Sequence, residues 1–441
     1  MPLQKNQVLT LRVERLSSDG SGVAHSPDGE TVFIPGAAPG DEARVRIVKD
    51  CKRYAFGILD EVLTPSPDRI PVDCAVAGPC GGCSLRHLDY AAELRAKQEN
   101  VADAFARIGG LDVPVLPIVG SPEVNRYRNK VQFPVGVDKS GKPCIGFYAG
   151  RTHRIVPCPD CRLQPGVLNE IGNALCAFFA EKGIQPYSEE TGRGLVRHIF
   201  LRRGAHSGQI MVCLVCTRAK LPSAEELCTR LKAQFAEITT ILLNVNAKNT
   251  NVILGTETHT LYGQGYIEDT LCGVPVQLGP LSFYQVNTLA AEQLYGIAAQ
   301  YAQLTPDDLL LDLYCGMGTI GLSMAAHCRE LIGVEIVPEA IESAKANATR
   351  MGADVAAKSR FFCADAGQAA TRLAAEGLHP DIVMLDPPRK GCDEATLSAV
   401  VRMSPRRVVY VSCNPATAAR DAAWLEQNGY HAEKVQPVDL L

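Results

Sequence analysis

Apolar and polar residues alternate with the two-residue period of β-strands through the first part of the chain. About five short strands within roughly 60 residues predict a small closed barrel of the OB type. The clearest runs lie at Val8–Val13, Thr31–Gly36, Glu42–Val48 and Ala55–Leu59, with a turn signal at Gly20–Gly22. Barrels of this type often hold oligonucleotides, so the basic loop at 49–54 is either an RNA contact or a solvated turn.

The middle of the chain changes from a helical to a strand pattern. Leu94, Val101, Phe105 and Ile108 recur at helical spacing, and two glycines end this predicted helix. A β-rich region follows, and its hairpin pairs the runs at 195–203 and 209–216. Basic residues on the first arm of this hairpin predict either a local RNA-facing surface or a solvated sheet face. They are Arg197, His198, Arg202 and Arg203.

From about Gly279 onward, strands alternate with helices. The buried run Leu309–Tyr314 leads into a glycine turn, Cys315–Gly321, and the helix after it begins at about Leu322. An acid, Glu335, closes the next strand. Glycines between a strand and a helix, followed by an acid one strand later, predict a site for a nucleoside cofactor. This pattern fits a dinucleotide and S-adenosylmethionine equally.

Two later strands carry reactive side chains at their ends. Asp386 follows the run at 381–385, and Cys413 follows the run at 406–411. A buried, inert thiol is the alternative for Cys413. A methyltransferase that acts on carbon does need a thiol here, because C5 of uracil is a poor nucleophile until a thiolate adds to C6. A hydride-transfer enzyme has no such need, which speaks against a nicotinamide-dependent oxidoreductase.

Composition limits the class of protein further. The chain has 441 residues, which predicts several domains, and its formal net charge of −4 confines any nucleic-acid site to a local patch. The N-terminal residues have neither the charged nor the apolar part of a signal peptide, and we expect a cytoplasmic protein. The 17 cysteines are spread through apolar runs, so reduced thiols are expected, some of them for metal.

Three cysteines, Cys74, Cys80 and Cys83, lie within ten residues of one another in a glycine-containing loop. Such a loop is typical of a metal site that lacks one ligand, and Cys158 or Cys161 would supply the fourth. Three clustered thiols with a distant fourth favour a [4Fe–4S] cluster over zinc, which usually takes two short cysteine pairs. Unligated structural thiols are the remaining alternative.

Four segments closely resemble the RNA uracil-C5 methyltransferase family, and the N-terminal barrel resembles its TRAM domain. They are Phe283–Asn287, Asp312–Gly321, Asp386–Gly391 and Ser412–Asp421. The resemblance covers nearly the whole chain and implies a fold of three parts. These are an N-terminal OB-like TRAM β-barrel at 1–63, a central α+β RNA-binding domain with the iron–sulfur loop at 64–278, and a C-terminal α/β Rossmann-like methyltransferase domain at 279–441.

The resemblance also implies ligands and roles. S-adenosylmethionine would contact Gln285, Tyr314, Glu335 and Asp386, and Cys413 would be the nucleophile. A [4Fe–4S] cluster would be bound by Cys74, Cys80, Cys83 and Cys161. A barrel together with a cluster implies the branch that acts on 23S ribosomal RNA, because the tRNA branch resembles a shorter chain without either.

One departure from the family leaves alternatives open. Family members continue past the segment at 435–440 into a stretch whose glutamate removes the C5 proton, whereas this sequence stops at Leu441. We therefore expect this polypeptide to add to uracil but to release product poorly. The alternatives are a tRNA uracil-C5 methyltransferase and a catalytically impaired RNA-binding iron–sulfur protein.

Overall fold

The N-terminal alternation of apolar and polar residues produces a closed five-stranded barrel. The five strands, β1 (Val8–Leu16), β2 (Gly22–His25), β3 (Thr31–Ile34), β4 (Glu42–Asp50) and β5 (Tyr54–Thr64), follow one another around the barrel in the order β1-β2-β3-β5-β4. The predicted barrel is confirmed. Val13, Val32, Val45 and Ile47 point inward and are almost fully buried, as the strand period requires. The computed structural model describes residues 3–150 and 152–441, so the first two residues of the predicted N-terminal domain lie outside the described part.

Nineteen strands and ten α-helices make up the described chain. The strands are β1 Val8–Leu16, β2 Gly22–His25, β3 Thr31–Ile34, β4 Glu42–Asp50, β5 Tyr54–Thr64, β6 Lys130–Val137, β7 Pro143–Tyr148, β8 Ile155–Pro157, β9 Val196–Arg203, β10 Ile210–Cys216, β11 Ile238–Val245, β12 Glu257–Tyr262, β13 Ile267–Leu271, β14 Val274–Leu278, β15 Leu309–Leu313, β16 Glu330–Glu335, β17 Ser359–Cys363, β18 Ile382–Leu385 and β19 Arg407–Tyr410. The helices are α1 Tyr90–Asp103, α2 Gly166–Glu181, α3 Ala224–Gln234, α4 Thr288–Ala302, α5 Thr319–Met324, α6 Pro338–Met351, α7 Ala353–Lys358, α8 Ala366–Ala375, α9 Glu394–Met403 and α10 Pro415–Gln427. Among the described residues, no helix is long and apolar enough to cross a membrane.

A seven-stranded sheet, in the order β12-β11-β10-β9-β6-β7-β8, forms the centre of the molecule. Its two faces separate two cores. Residues such as Val131 and Phe133 pack with α2 on one face, whereas Phe200, Met211 and Cys213 pack into the core of the C-terminal part on the other. The central sheet is therefore held directly against the C-terminal part of the chain.

Three of the four basic residues on the first arm of the predicted hairpin are not on a solvated or RNA-facing surface, whereas Arg203 is half-buried. Arg197, His198 and Arg202 are buried, and Arg202 is 1 % exposed. The Arg197 guanidinium donates to two carbonyls of the 246–248 loop. The Arg202 guanidinium donates to the carbonyls of Gly279 and Ser282, at 2.7 and 2.8 Å. The two arginine side chains hold loops in place inside the fold. Their guanidinium groups can be buried because carbonyl groups from distant parts of the sequence accept their hydrogen bonds.

The C-terminal sheet contains five parallel strands in the order β17-β16-β15-β18-β19. The three middle strands are almost entirely buried, which fits a parallel sheet covered by helices on both faces. Their carboxyl ends point to one edge. In sheets of this kind the ligand binds at that edge, so the side chains just after β15, β16, β18 and β19 define where a site can form.

The segment at 435–439 returns to the start of the central part. Val435 and Val438 form single parallel bridges with Val115 and Val119 instead of a regular strand. Asp439 is 6 % exposed and accepts hydrogen bonds from Lys97 Nζ at 2.6 Å and from the Tyr90 hydroxyl at 2.8 Å. This buried carboxylate fastens the segment to α1.

Replacing Asp439 with alanine should destabilise the protein by about 2 kcal/mol, because it removes two hydrogen bonds to a buried charge. Chemical unfolding of the purified variant measures the change. Glu342→Ala is the control, since its lysine pair lies on the exposed surface of α6 and should contribute less than about 1 kcal/mol. Equal destabilisation by the two variants would contradict the role assigned to Asp439.

Candidate active site

The glycine turn after β15 creates an open cradle. Tyr314, Gly316 and Gly318 all have positive φ, at 67°, 55° and 79°. Glycine tolerates this conformation, and an added Cβ at Gly316 would meet no atom within 4 Å. Glu335, at the end of β16, accepts a hydrogen bond from the Gly316 N–H at 3.1 Å. The open space beside Gly316 and the carboxylate facing it can hold a nucleoside.

Two more carboxyl groups lie beneath this cradle. Asp312 is 1 % exposed and accepts from the Gly321 N–H at 3.0 Å, while its other oxygen has no partner among the described residues. Burial, together with the charges of Asp386 and Glu335, raises the pKa of Asp312 to about 8. Burial also raises the pKa of Asp386 to about 7. A cation bound at this edge of the sheet would favour the ionised form of both groups, so the three neighbouring carboxyl groups suit a positively charged ligand.

Gln285 comes from a different part of the chain and lies beside the same carboxyl groups. Its side chain and that of Thr319 form hydrogen bonds with the hydroxyl of Tyr295, a buried residue of α4 that also senses the charge of Asp386. The backbone carbonyl of Gln285 accepts from the Asn129 amide at 2.8 Å. The central part of the chain thus holds the loop that brings Gln285 to the cradle.

Cys413 is exposed, so it is not the buried, inert thiol of the alternative interpretation. It lies in a tight turn after β19, in which the hydroxyl of Ser412 accepts from the Asn414 N–H and donates to the Asn414 carbonyl, both at 3.0 Å. Asn414 also caps α10 and donates to the Arg389 carbonyl at 3.0 Å. The thiol is therefore accessible while its backbone is fixed.

The loops after β18 and β19 lie side by side. Leu385 pairs with Tyr410, and the Val411 N–H donates to the Leu385 carbonyl at 2.8 Å. Farther along, Arg420 donates to the carbonyls of Lys390 and Cys392. Asp386 and Cys413 are consequently delivered to the same edge of the sheet by neighbouring strands.

Phe283 and Tyr284 are consecutive but have opposite environments. Phe283 is 74 % exposed, whereas Tyr284 is 3 % exposed and donates its hydroxyl proton to Asp269 at 3.0 Å. Tyr284 is therefore a core residue. Phe283 leaves an aromatic face in solvent two residues before Gln285, where a nucleic-acid base can stack on it.

The predicted cluster cysteines lie in two loops that meet. Asp73, beside Cys74, forms ion pairs with Arg86 at 2.8 Å and with Arg162, beside Cys161, at 3.8 Å. Burial, together with nearby Cys161, Cys80 and Cys74, raises the pKa of the Cys83 thiol to about 11. The four thiols are thus close enough to interact. Within the described ranges, no three His, Cys, Asp or Glu side chains stand in the geometry of a formed metal site.

The two candidate fourth ligands differ in their surroundings. The Cys158 thiol donates a hydrogen bond to Cys161. This hydrogen bond lowers the pKa of Cys161 and raises the pKa of Cys158. The Cys161 carbonyl accepts from the side chains of Arg126 and Asn169 at 2.7 and 3.0 Å. Cys161 is thus the thiol whose anionic form is favoured and whose backbone is fixed.

The structure brings Gln285, Tyr314, Glu335, Asp386 and Cys413 to the carboxyl-end edge of the parallel sheet; their individual roles stay predictions. Sequence analysis did not single out Asp312, Tyr295 or Asn129 as site residues. Asp312 stands two residues before the glycine turn, a position that could have drawn attention to it. Tyr295 and Asn129 carry no local signal, since tertiary contacts alone bring them here.

A parallel sheet with an acid-lined glycine cradle and an exposed thiol two strands away defines a nucleoside-cofactor enzyme of the Rossmann-like methyltransferase class. Comparison with known proteins gives the family. A model for tRNA (uracil-5-)-methyltransferases matches residues 205–436, and a model for the TRAM domain matches residues 2–59. This chain belongs to the RNA uracil-C5 methyltransferase family and is an S-adenosylmethionine-dependent enzyme.

Relatives match the chain over its full length. An uncharacterised RNA methyltransferase of Halalkalibacterium halodurans is 43 % identical over 440 residues, which are 100 % of this chain and 95 % of the relative. One from Listeria monocytogenes is 42 % identical over 442 residues, covering 99 % and 95 %. The crystal structure of Pyrococcus abyssi tRNA (uracil-54, C5)-methyltransferase with S-adenosyl-L-homocysteine has a TM-score of 0.77 and 25 % identity, covering 99 % of this chain and 97 % of that one.

Binding of S-adenosylmethionine should strengthen as the pH rises from about 6 to about 8. Asp386 is largely protonated below its pKa of about 7 and ionised above it, and the carboxylate attracts the positively charged sulfonium. Calorimetry should show a gain of up to about tenfold in affinity. Asp386→Asn should remove the part of this dependence centred near pH 7 and leave only the rise near pH 8 that Asp312 contributes.

Asp307→Asn, at an exposed position before β15, is the matched control and should retain the wild-type profile. If the affinity for S-adenosylmethionine changes with pH in the same way in wild type and in Asp386→Asn, Asp386 is excluded as the titrating group.

Proposed function

We propose that this enzyme transfers a methyl group from S-adenosylmethionine to C5 of a uridine in 23S ribosomal RNA, with Cys413 as the nucleophile. The exposure of Cys413 at the strand end next to Asp386 carries this proposal. Gln285, Tyr314, Glu335 and Asp386 would contact the cofactor, because all four line the glycine cradle or its edge.

The reaction begins at Cys413. Its thiolate adds to C6 of the uracil ring, and the electron pair of the C5–C6 double bond moves onto C5 and the adjacent carbonyl. The bound cofactor would supply an electrophilic methyl group. As the activated C5 forms its bond to the methyl carbon, the carbon–sulfur bond would break and its electron pair would stay on sulfur, which leaves as a neutral thioether. Loss of the C5 proton to a base then restores the double bond and expels the thiolate. The fixed turn of Ser412 and Asn414 would hold the thiol in place throughout.

A nucleobase stacked inside an RNA duplex cannot reach Cys413, so the target uridine must be unstacked before it reacts. Phe283 is positioned to receive an unstacked base because its ring is exposed beside the cofactor loop. The barrel offers a second aromatic surface, where Tyr54 is exposed and packs edge-to-face with Phe33 and Phe56 at 5.7 and 5.6 Å. Both surfaces favour single-stranded or looped RNA as substrate.

A transfer RNA is the second candidate substrate. The Pyrococcus abyssi protein, whose name specifies tRNA, aligns with 99 % of this chain. The sequence analysis took the barrel as a mark of the rRNA enzymes. This alignment shows that the barrel does not distinguish rRNA enzymes from tRNA enzymes. The same alignment spans the loops that carry Cys74, Cys80, Cys83 and Cys161, so the cysteine cluster does not by itself distinguish the two substrates either. The proposal of 23S RNA therefore needs a direct test.

Labelled S-adenosylmethionine should transfer its methyl group to transcribed 23S RNA, and Cys413→Ala should reduce the rate by at least about a thousandfold, since no other group can activate C5. Mapping of the label in 23S RNA and tRNA gives the substrate. Cys363→Ala, at another exposed cysteine, is the control and should retain activity.

Label in tRNA alone would replace the proposed substrate by the second candidate. Activity of Cys413→Ala equal to that of wild type would overturn the covalent mechanism.

We also propose that Cys74, Cys80, Cys83 and Cys161 bind a [4Fe–4S] cluster. The donor set fits this group, because the ion pairs of Asp73 join the two loops that carry the four thiols and thiolates are the usual ligands of iron. The cluster would brace the junction between the loop before α1 and the loop before α2. It takes no part in the methyl-transfer steps.

Anaerobic reconstitution should load about four iron atoms per chain and produce the visible absorbance of a [4Fe–4S] cluster. Cys161→Ser should lose most of the iron, whereas Cys158→Ser, the neighbouring thiol, should retain it. Bound zinc without visible absorbance would refute the iron–sulfur assignment, and equal iron loss in both variants would refute the choice of Cys161.

A further inference from the structure

The start of β6, an interior strand of the central sheet, lies beside the cofactor loop and carries an unusual set of side chains. Lys130 pairs with Arg202 across β6 and β9, and Arg128 forms an antiparallel bridge with Asn287. Paired residues point to the same face of a sheet, and so do residues two apart in a strand. Arg128, Lys130 and Arg202 therefore share the face that also carries the side chain of Asn287.

Arg202 donates from both terminal nitrogens to the carbonyls described above, although its Nε is buried without a partner in the described ranges. Among the described residues, its two neighbours have no such carbonyl partners for their side chains. Within the part of the chain that the structure describes, neither Arg128 nor Lys130 forms an ion pair, and the Arg128 Nε is buried without a hydrogen-bond partner. Burial lowers the pKa of Lys130, and the charges of Arg202 and Arg128 lower it further. Two half-buried cations without a carboxylate are costly unless an anion binds to them.

Their position points to the kind of anion. Between them, Asn129 donates its N–H to the Val286 carbonyl at 2.8 Å and its side-chain amide to the Gln285 carbonyl. The two cations thus lie directly beside the loop that carries Gln285 and the exposed Phe283. A guanidinium and an ammonium at the rim of a site for an RNA base match the chemistry of phosphate.

We propose that Arg128 and Lys130 bind a backbone phosphate of the substrate RNA next to the target uridine. This inference depends on the proposed RNA methyltransferase function. The contact would hold the RNA strand while the unstacked uridine reaches Cys413, so the two side chains act as positioning residues.

The test measures the affinity of a uridine-containing RNA stem-loop substrate at several salt concentrations, together with kcat and KM. Arg128→Gln and Lys130→Gln should each weaken RNA binding about tenfold and reduce the slope of log affinity against log salt by about 0.7. KM for RNA should rise, while kcat at saturating RNA and the affinity for S-adenosylmethionine should stay at wild-type values. Lys130→Arg keeps the charge and should retain the salt slope.

Lys139→Gln is the matched control, because Lys139 is exposed in the turn after β6, away from the cofactor loop. If Arg128→Gln and Lys130→Gln have the RNA affinity and salt slope of this control, the phosphate contact is refuted. Weaker cofactor binding with unchanged RNA binding would also overturn it, since the anion would then be the carboxylate of the cofactor. A wild-type protein that methylates no RNA would instead refute the proposed function.

Discussion

Parallel pairing of β15, β18 and β19 is the constraint from which the site follows. Leu313 pairs with Leu385, and Leu385 with Tyr410, so the three strands end at almost the same level. The glycine turn, the loop of Asp386 and the turn of Cys413 must then begin side by side. The hydrogen bonds of the sheet set the spacing of these three loops. No long flexible loop has to become ordered to bring their side chains together.

A buried guanidinium joins this sheet to the rest of the molecule. Arg202 crosses from the central sheet to the carbonyls of Gly279 and Ser282, and Asn129 holds the carbonyl of Gln285. Each bond satisfies a polar group that would be costly to leave unpaired in the interior. The segment at 279–287 is therefore fixed from the side of the central domain, although it carries a residue of the cofactor cradle.

Sequence reasoning succeeded where the signal is local and failed where it is tertiary. Glu335, Asp386 and Cys413 follow buried apolar runs directly, so their placement at strand ends could be predicted. The basic arm at 197–203 could not be interpreted correctly, because the carbonyls that bury Arg202 lie 77 and 80 residues away. Nothing next to Arg128 or Lys130 in the sequence shows that both lack a carboxylate partner in the fold.

The formal net charge of −4 conceals two opposite fields around the loop at 283–287. Glu335 and the ionised form of Asp386 make the cradle side acidic, which suits a cofactor with a positive sulfonium. Arg128 and Lys130 make the neighbouring sheet edge basic, which suits a polyanion. The loop at 283–287 lies between the acidic and the basic region. A cationic methyl donor and an anionic RNA would therefore bind on opposite sides of this loop. The charge distribution thus favours binding both ligands together, because neither occupies the surface that attracts the other.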